Sequence, residues 1–131
     1  MAITLTTGSR NAACDAVVDR VDAGAAAGKL KIYAGGVGGT LLATFTLSDP
    51  AFGNAGASVA GQAALLGVPL STTASGTGTA NAFAFTDSDD VEHWRGSVTA
   101  TGGGGDLTID NVSVASGQTV RVTGYNHNQP A

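Results

Sequence analysis

The chain has 131 residues, enough to bury one hydrophobic core but not two. A formal net charge of −4, with six basic residues scattered from Arg10 to Arg121, excludes the clustered positive surface that nucleic-acid binding needs. Charged residues make up only 12%, against ~25% in ordinary globular domains, and no apolar run approaches the ~20 residues of a membrane span.

A surface this poor in charge and rich in Gly, Ala, Ser and Thr is weakly defended against association. It suits a chain held against neighbours. The single cysteine, Cys14, rules out an internal disulfide. The start, MAITLTTGSR, lacks the basic and long apolar regions of a secretory signal, so the expected product is soluble and made in the cytoplasm.

In chain order, alternation in AITLT predicts a short strand over 2–6. Ser9 or Asn11 is placed to cap a helix over 10–23. There Ala13, Val17 and Val21 recur at i, i+4 and i+8, joined by Cys14 and Val18, with Asp15, Asp19, Arg20 and Asp22 outward. Gly24 suits the residue just past its end. Strands over 29–34 and 40–48 then flank a turn of Gly35, Gly36, Gly38 and Gly39. Leu30, Ile32 and Ala34 share one face of the first, against Lys29, Lys31 and Tyr33. In the second, Leu41, Ala43, Phe45 and Leu47 alternate with Leu42, Thr44 and Thr46. Asp49-Pro50 ends this hairpin, because proline has no N–H for a ladder. It is expected to form the centre of the sheet.

Beyond it, a strand over 62–70 belongs at an edge because of Pro69. Residues 71–79 read as an exposed loop, with Thr and Ser alternation that could extend a strand as the alternative, and 79–86 alternates Ala82, Ala84 and Thr86 against Phe83 and Phe85. Further strands are expected over 93–101, 106–114 and 118–124, the second bent or bulged at Asp110-Asn111. The tail from Tyr125 is polar. Short strands spaced by turns predict an all-β antiparallel β-sandwich of jelly-roll type with one N-terminal amphipathic helix.

Chemistry is sparse. Asp87, Asp89 and Asp90 have spacing that lets two carboxylates share a hard cation, but the glycine and distal glutamate of a calcium loop are missing. A hairpin turn accounts for them. His93, His127 and Cys14 have no zinc-site spacing. Cys14 sits on the apolar helix side, where a thiol is core filler rather than nucleophile. The glycine runs lack the Lys-Ser/Thr of a phosphate loop. No catalytic residue, cofactor or metal is expected. Trp94 and Arg95 are of types enriched at interfaces, with core packing the plain alternative for Trp94 and sugar stacking another. Phe52 and Tyr125 are further interface candidates.

Five segments together resemble a family of small tailed-bacteriophage virion proteins. They are NAACDAVVDRVDAG (Asn11–Gly24), KLKIYAG (Lys29–Gly35), LLATFTLSDPAFG (Leu41–Gly53), GSV (Gly96–Val98) and DLTIDNVSVASGQTVRVTG (Asp106–Gly124). The resemblance does not extend over 58–92 or 125–131. It implies a non-enzymatic capsid decoration, or cement, protein: a small β-sandwich subunit on the outside of a phage head. The implied partners are the major capsid protein and further copies of itself as a dimer or trimer, with no nucleic acid or membrane. The alternative is a tail, fibre or carbohydrate-binding adhesion module.

Overall fold

The computed structural model of the chain describes residues 6–56, 61–100 and 102–128. The strand expected over 2–6 lies outside them except for Thr6, which is the cap of helix α1 (Thr7–Val18). The Thr6 side chain accepts the Ser9 N–H at 3.2 Å, so the helix starts three residues before the expected position. A 3-10 turn, Asp19–Asp22, continues it. Cys14, Val18 and Val21 are buried as expected, whereas Ala13 and Val17 of the same pattern are only half-buried. Two of the supposedly outward acids point elsewhere. Asp15 accepts the Ala55 N–H at 2.7 Å, and Asp22 accepts the Ala51 N–H at 3.1 Å. Asn11 likewise accepts the Gly61 N–H at 2.7 Å. These side chains satisfy backbone donors of the segment between Thr46 and Gln62.

Strands β1 (Lys29–Ala34) and β2 (Thr40–Thr46) form the expected antiparallel hairpin. Gly35, Gly36 and Gly38 all have positive φ, which a side chain resists, and Asn81 holds the turn by accepting the Gly36 N–H at 2.9 Å. In β2 the alternation breaks. Ile32 pairs with Ala43 but Tyr33 pairs with Leu41, leaving Leu42 as the extra residue of a bulge. Leu42 and Ala43 are therefore both buried, and Leu41 is turned out.

The hairpin is not the centre of the sheet. That place belongs to β5 (Gly78–Thr86), with β1 and then β2 on one side, β6 (Glu92–Ala100) and then β7 (Leu107–Ile109) on the other, and β8 (Ser113–Val114) also paired to it. β6 pairs antiparallel with β5, but β7 runs parallel to β6, so the sheet is mixed rather than antiparallel throughout. Thr99 and Ser97 hydroxyls accept the Gly105 and Asp106 N–H groups at 3.0 and 3.2 Å, which draws the glycine loop back along β6.

Two small pairs complete the fold: β3 (Gln62–Ala64) with β10 (Asn126–Asn128), and β4 (Leu70–Thr73) with β9 (Thr119–Val122). Of the strand expected over 62–70 only Gln62–Ala64 and Leu70 are strand, because Gly67 at φ 72° and Pro69 break the run, and β4 instead takes in Ser71–Thr73 of the segment read as a loop. Likewise 106–114 splits into β7 and β8 at the expected bend, where the Asn111 side chain accepts the Ser113 N–H at 3.0 Å. The polar tail does form a strand, β10, beside β3. The fold is all-β with one N-terminal helix among the described residues. One apolar cluster packs Cys14 of the helix with Leu30, Phe45, Phe85, Leu107 and Val122 of the strands. No helix among the described residues is long and apolar enough to cross a membrane.

Candidate functional site

β7 pairs only with Val98–Ala100, so on that side the earlier half of β6 has no strand against it among the described residues. A recess of about 460 Å³ lies there. Phe83, Trp94 and Tyr125 supply its aromatic side. Arg95, Gly105 and Asp106 form one wall, and Asn126, His127 and Asn128 of β10 the other. Gly96 makes the approach possible: a Cβ there would lie 2.7 Å from the Phe83 ring and 2.8 Å from the Asp106 carboxylate.

Three of the four sequence-derived interface candidates, Trp94, Arg95 and Tyr125, therefore meet at one place. Phe52 does not present a surface. It is 6% exposed and packs beneath them, its ring 5.8 Å from Trp94 and 6.1 Å from Tyr125. The reason is its bridge to Leu65, which holds the loop after β2 over the core. Trp94 stacks on buried Phe85, with centroids 4.7 Å apart and planes 26° apart, and meets the His127 ring at 4.8 Å. It is thus both a core residue and a wall of the recess.

Hydrogen bonding leaves part of this lining unspent. Trp94 Nε1 donates to the Tyr125 hydroxyl at 3.1 Å, whose own proton finds no acceptor among the described residues. Ser97 N–H and O–H both donate to Asp106 Oδ2, at 3.0 and 3.2 Å, leaving Oδ1. Asn128 Oδ1 accepts from Gln62 at 2.7 Å, leaving its NH₂. Arg95 is tied to Glu92 at 2.7 Å, so its charge is largely answered. Burial pulls the His127 imidazole below its ordinary range, so it stays neutral near pH 7.

Burial pushes the Tyr125 phenol up to about 12, offset in part by the Trp94 hydrogen bond and reinforced by the charge of Asp106. A raised value means that the neutral phenol stabilises the fold fully below the unfolded value of ~10 and that this is lost as pH rises through about 12. In a Tyr33→Phe background, phenolate absorbance should therefore rise near pH 12. A midpoint near 10 would contradict the packing of Tyr125.

The acidic run is a turn. Asp87 Oδ1 accepts the N–H groups of Asp89 and Val91 at 2.9 and 3.1 Å, and Oδ2 meets His93 Nε2 at 3.1 Å. Asp90, at φ 66°, pairs with Lys29 and Lys31 at 3.0 and 2.9 Å. The Asp87 and Asp90 carboxylates thus have separate partners, and no group of three acidic, His or Cys side chains among the described residues is placed for a metal. Burial raises the Asp87 carboxyl, but hydrogen bonds from Val91, His93 and Asp89 outweigh it and hold it below the ordinary carboxylate range. Its contribution is present above the unfolded value of ~3.9 and lost as pH falls through the lower folded value. The stability gap between the wild type and Asp87→Asn, measured by urea unfolding, should accordingly close as pH drops below about 4. A gap that stays constant in acid would contradict this role.

Cys14 is fully buried and donates to the His127 carbonyl oxygen at 3.7 Å. Burial, then the neighbouring Asp15 charge, pushes its thiol up, away from the reactive thiolate. Sequence reading overlooked Phe83, Asp106 and the β10 side chains as site residues. The signal was Tyr125–Asn128, where two ring-bearing residues alternate with two amides at strand period. Comparison with protein-family models, curated proteins and solved structures returns no match.

Proposed function

We propose that the chain is a non-enzymatic structural protein of a tailed-phage virion, a decoration subunit that binds the outside of the head and stabilises it. The observation that carries this reading is the low-charge surface, 12% charged residues over the whole chain, joined to the five-segment resemblance. Leu41, Leu66, Val68 and Val91 are exposed apolar side chains. The partners are the major capsid protein and further copies of this chain, as a dimer or trimer under closed symmetry. Stabilisation follows from linkage: a ligand that binds only the assembled shell favours it, and repetition over many sites multiplies a modest energy.

Quantitative mass spectrometry of virions carrying the chain tests this reading. Copy numbers comparable with the major capsid protein support decoration, and heads stripped of the chain should lose heat resistance that add-back restores. A few copies confined to the tail would replace decoration by the fibre reading. Failure of the chain to sediment with any particle would overturn both.

A further inference from the structure

We propose that the recess between β6 and β10 is a binding site for a neutral saccharide of one or two sugar units. Four observations point to that class. Its volume, about 460 Å³, falls in the lower part of the range of small-molecule sites. Its lining is mixed: the part-exposed rings of Trp94 and Tyr125 border it together with the amides of Asn126 and Asn128 and the Asp106 carboxylate, while Phe83 is buried. A pyranose is mixed in the same way, with an apolar C–H face that packs on aromatic rings and a rim of hydroxyls.

The unspent hydrogen-bonding groups are of both kinds. The Tyr125 hydroxyl proton and the Asn128 NH₂ donate, and Asp106 Oδ1 accepts. Each sugar hydroxyl is donor and acceptor at once, so such a mixture serves it. The charges also discriminate. Arg95 is answered by Glu92, and Asp106 opposes an anion, so phosphate is disfavoured. A divalent cation lacks its ligands among the described residues. One carboxylate beside aromatic rings leaves a quaternary ammonium as the competing chemistry, but the amide wall of Asn126 and Asn128 would then go unused.

The experiment uses a built-in reporter. Trp94 is the only tryptophan in the chain and lines the recess, so its fluorescence reads occupancy directly. Purified full-length protein is titrated with maltose, lactose, mannobiose and chitobiose, and in separate arms with inorganic phosphate and choline. The expected result is a saturable change with at least one disaccharide and none with phosphate or choline. Asn128→Ala should weaken that binding about tenfold, the loss of one good hydrogen bond, and Asp106→Asn should do the same. Asn128 is exposed near the end of a short strand, so its variant carries the test even where Asp106→Asn disturbs the Ser97 contacts. A flat response to all four sugars, saturation by choline or phosphate in their place, or undiminished sugar binding by Asn128→Ala overturns the proposal. The outcome is independent of the virion reading, because it needs no particle.

Discussion

Replacing Phe85 by alanine should destabilise the protein by about 3–5 kcal/mol, among the largest losses for any single core truncation. Phe85 is 0% exposed and lies on β5, the strand that pairs with three others. Its ring stands 4.7 Å from Trp94, 5.0 Å from Tyr125, 5.5 Å from Phe52 and 5.6 Å from Phe83. Truncation leaves a void bounded by four other rings, Phe83 and Trp94 on paired strands and Phe52 and Tyr125 tied to Leu65 through their backbones, so collapse into it is limited. Aromatic contacts add to the transfer loss. Urea unfolding should show a lower midpoint with an unchanged slope, and Phe85→Leu, which fills part of the space, should lose less than half as much. Because Trp94 stacks on Phe85, its emission should shift in the folded Phe85→Ala protein. A loss below ~1 kcal/mol would mean that the cluster does not anchor the core.

The elements legible in the sequence are those whose pattern is long and whose pairing is regular. β1 and β5 alternate over 29–34 and 79–86 with a glycine turn or acidic turn at one end, and both occur, β5 beginning one residue earlier at Gly78. β2 shows where pattern reading stops. Seven residues of alternation predicted one face, yet the bulge at Leu42 depends on the pairing with β1, which no local signal contains. The helix start was misplaced for a similar reason. Thr6 lies inside an alternating run that favours a strand, and the cap bond to Ser9 decides in favour of the helix.

The recess was half legible. Trp94, Arg95 and Tyr125 drew attention through residue type, which is a property of single positions. Their convergence is not: 31 residues separate Trp94 from Tyr125, and β10 is placed by a three-residue pairing with β3. A strand that short, with exposed asparagines on both sides of His127, carries too little apolar contrast to be told from a polar tail. Phe52 was singled out by residue type alone, which carries no signal of its burial. The backbone N–H groups that Asp15 and Asp22 capture are what hold its loop inward.

Gly28→Ala should have the opposite sign from an ordinary glycine substitution and cost about 3 kcal/mol or more. At an unhindered position alanine stabilises by about 0.4–1 kcal/mol, because it restricts the unfolded chain. Gly8, in α1 with nothing within 4 Å of an added Cβ, is such a position, and Gly8→Ala should show that gain. Gly28 is buried where the end of the 3-10 turn crosses the starts of β1 and the end of β5. An added Cβ meets the Val21 side chain, the Val21 carbonyl oxygen at 2.5 Å and the Thr86 carbonyl oxygen at 2.8 Å. The side chain can rotate, but the two carbonyls belong to packed backbone. Relief therefore requires moving the helix from the sheet or β5 from β1, and the Gly28 carbonyl that accepts the Leu47 N–H at 3.0 Å would move as well. A double-mutant cycle separates the two obstacles. Val21→Ala should fail to rescue Gly28→Ala if the carbonyls set the limit. Full rescue would show that the helix and sheet are held apart by one valine methyl, and that their contact is softer than the close approach at Gly28 implies.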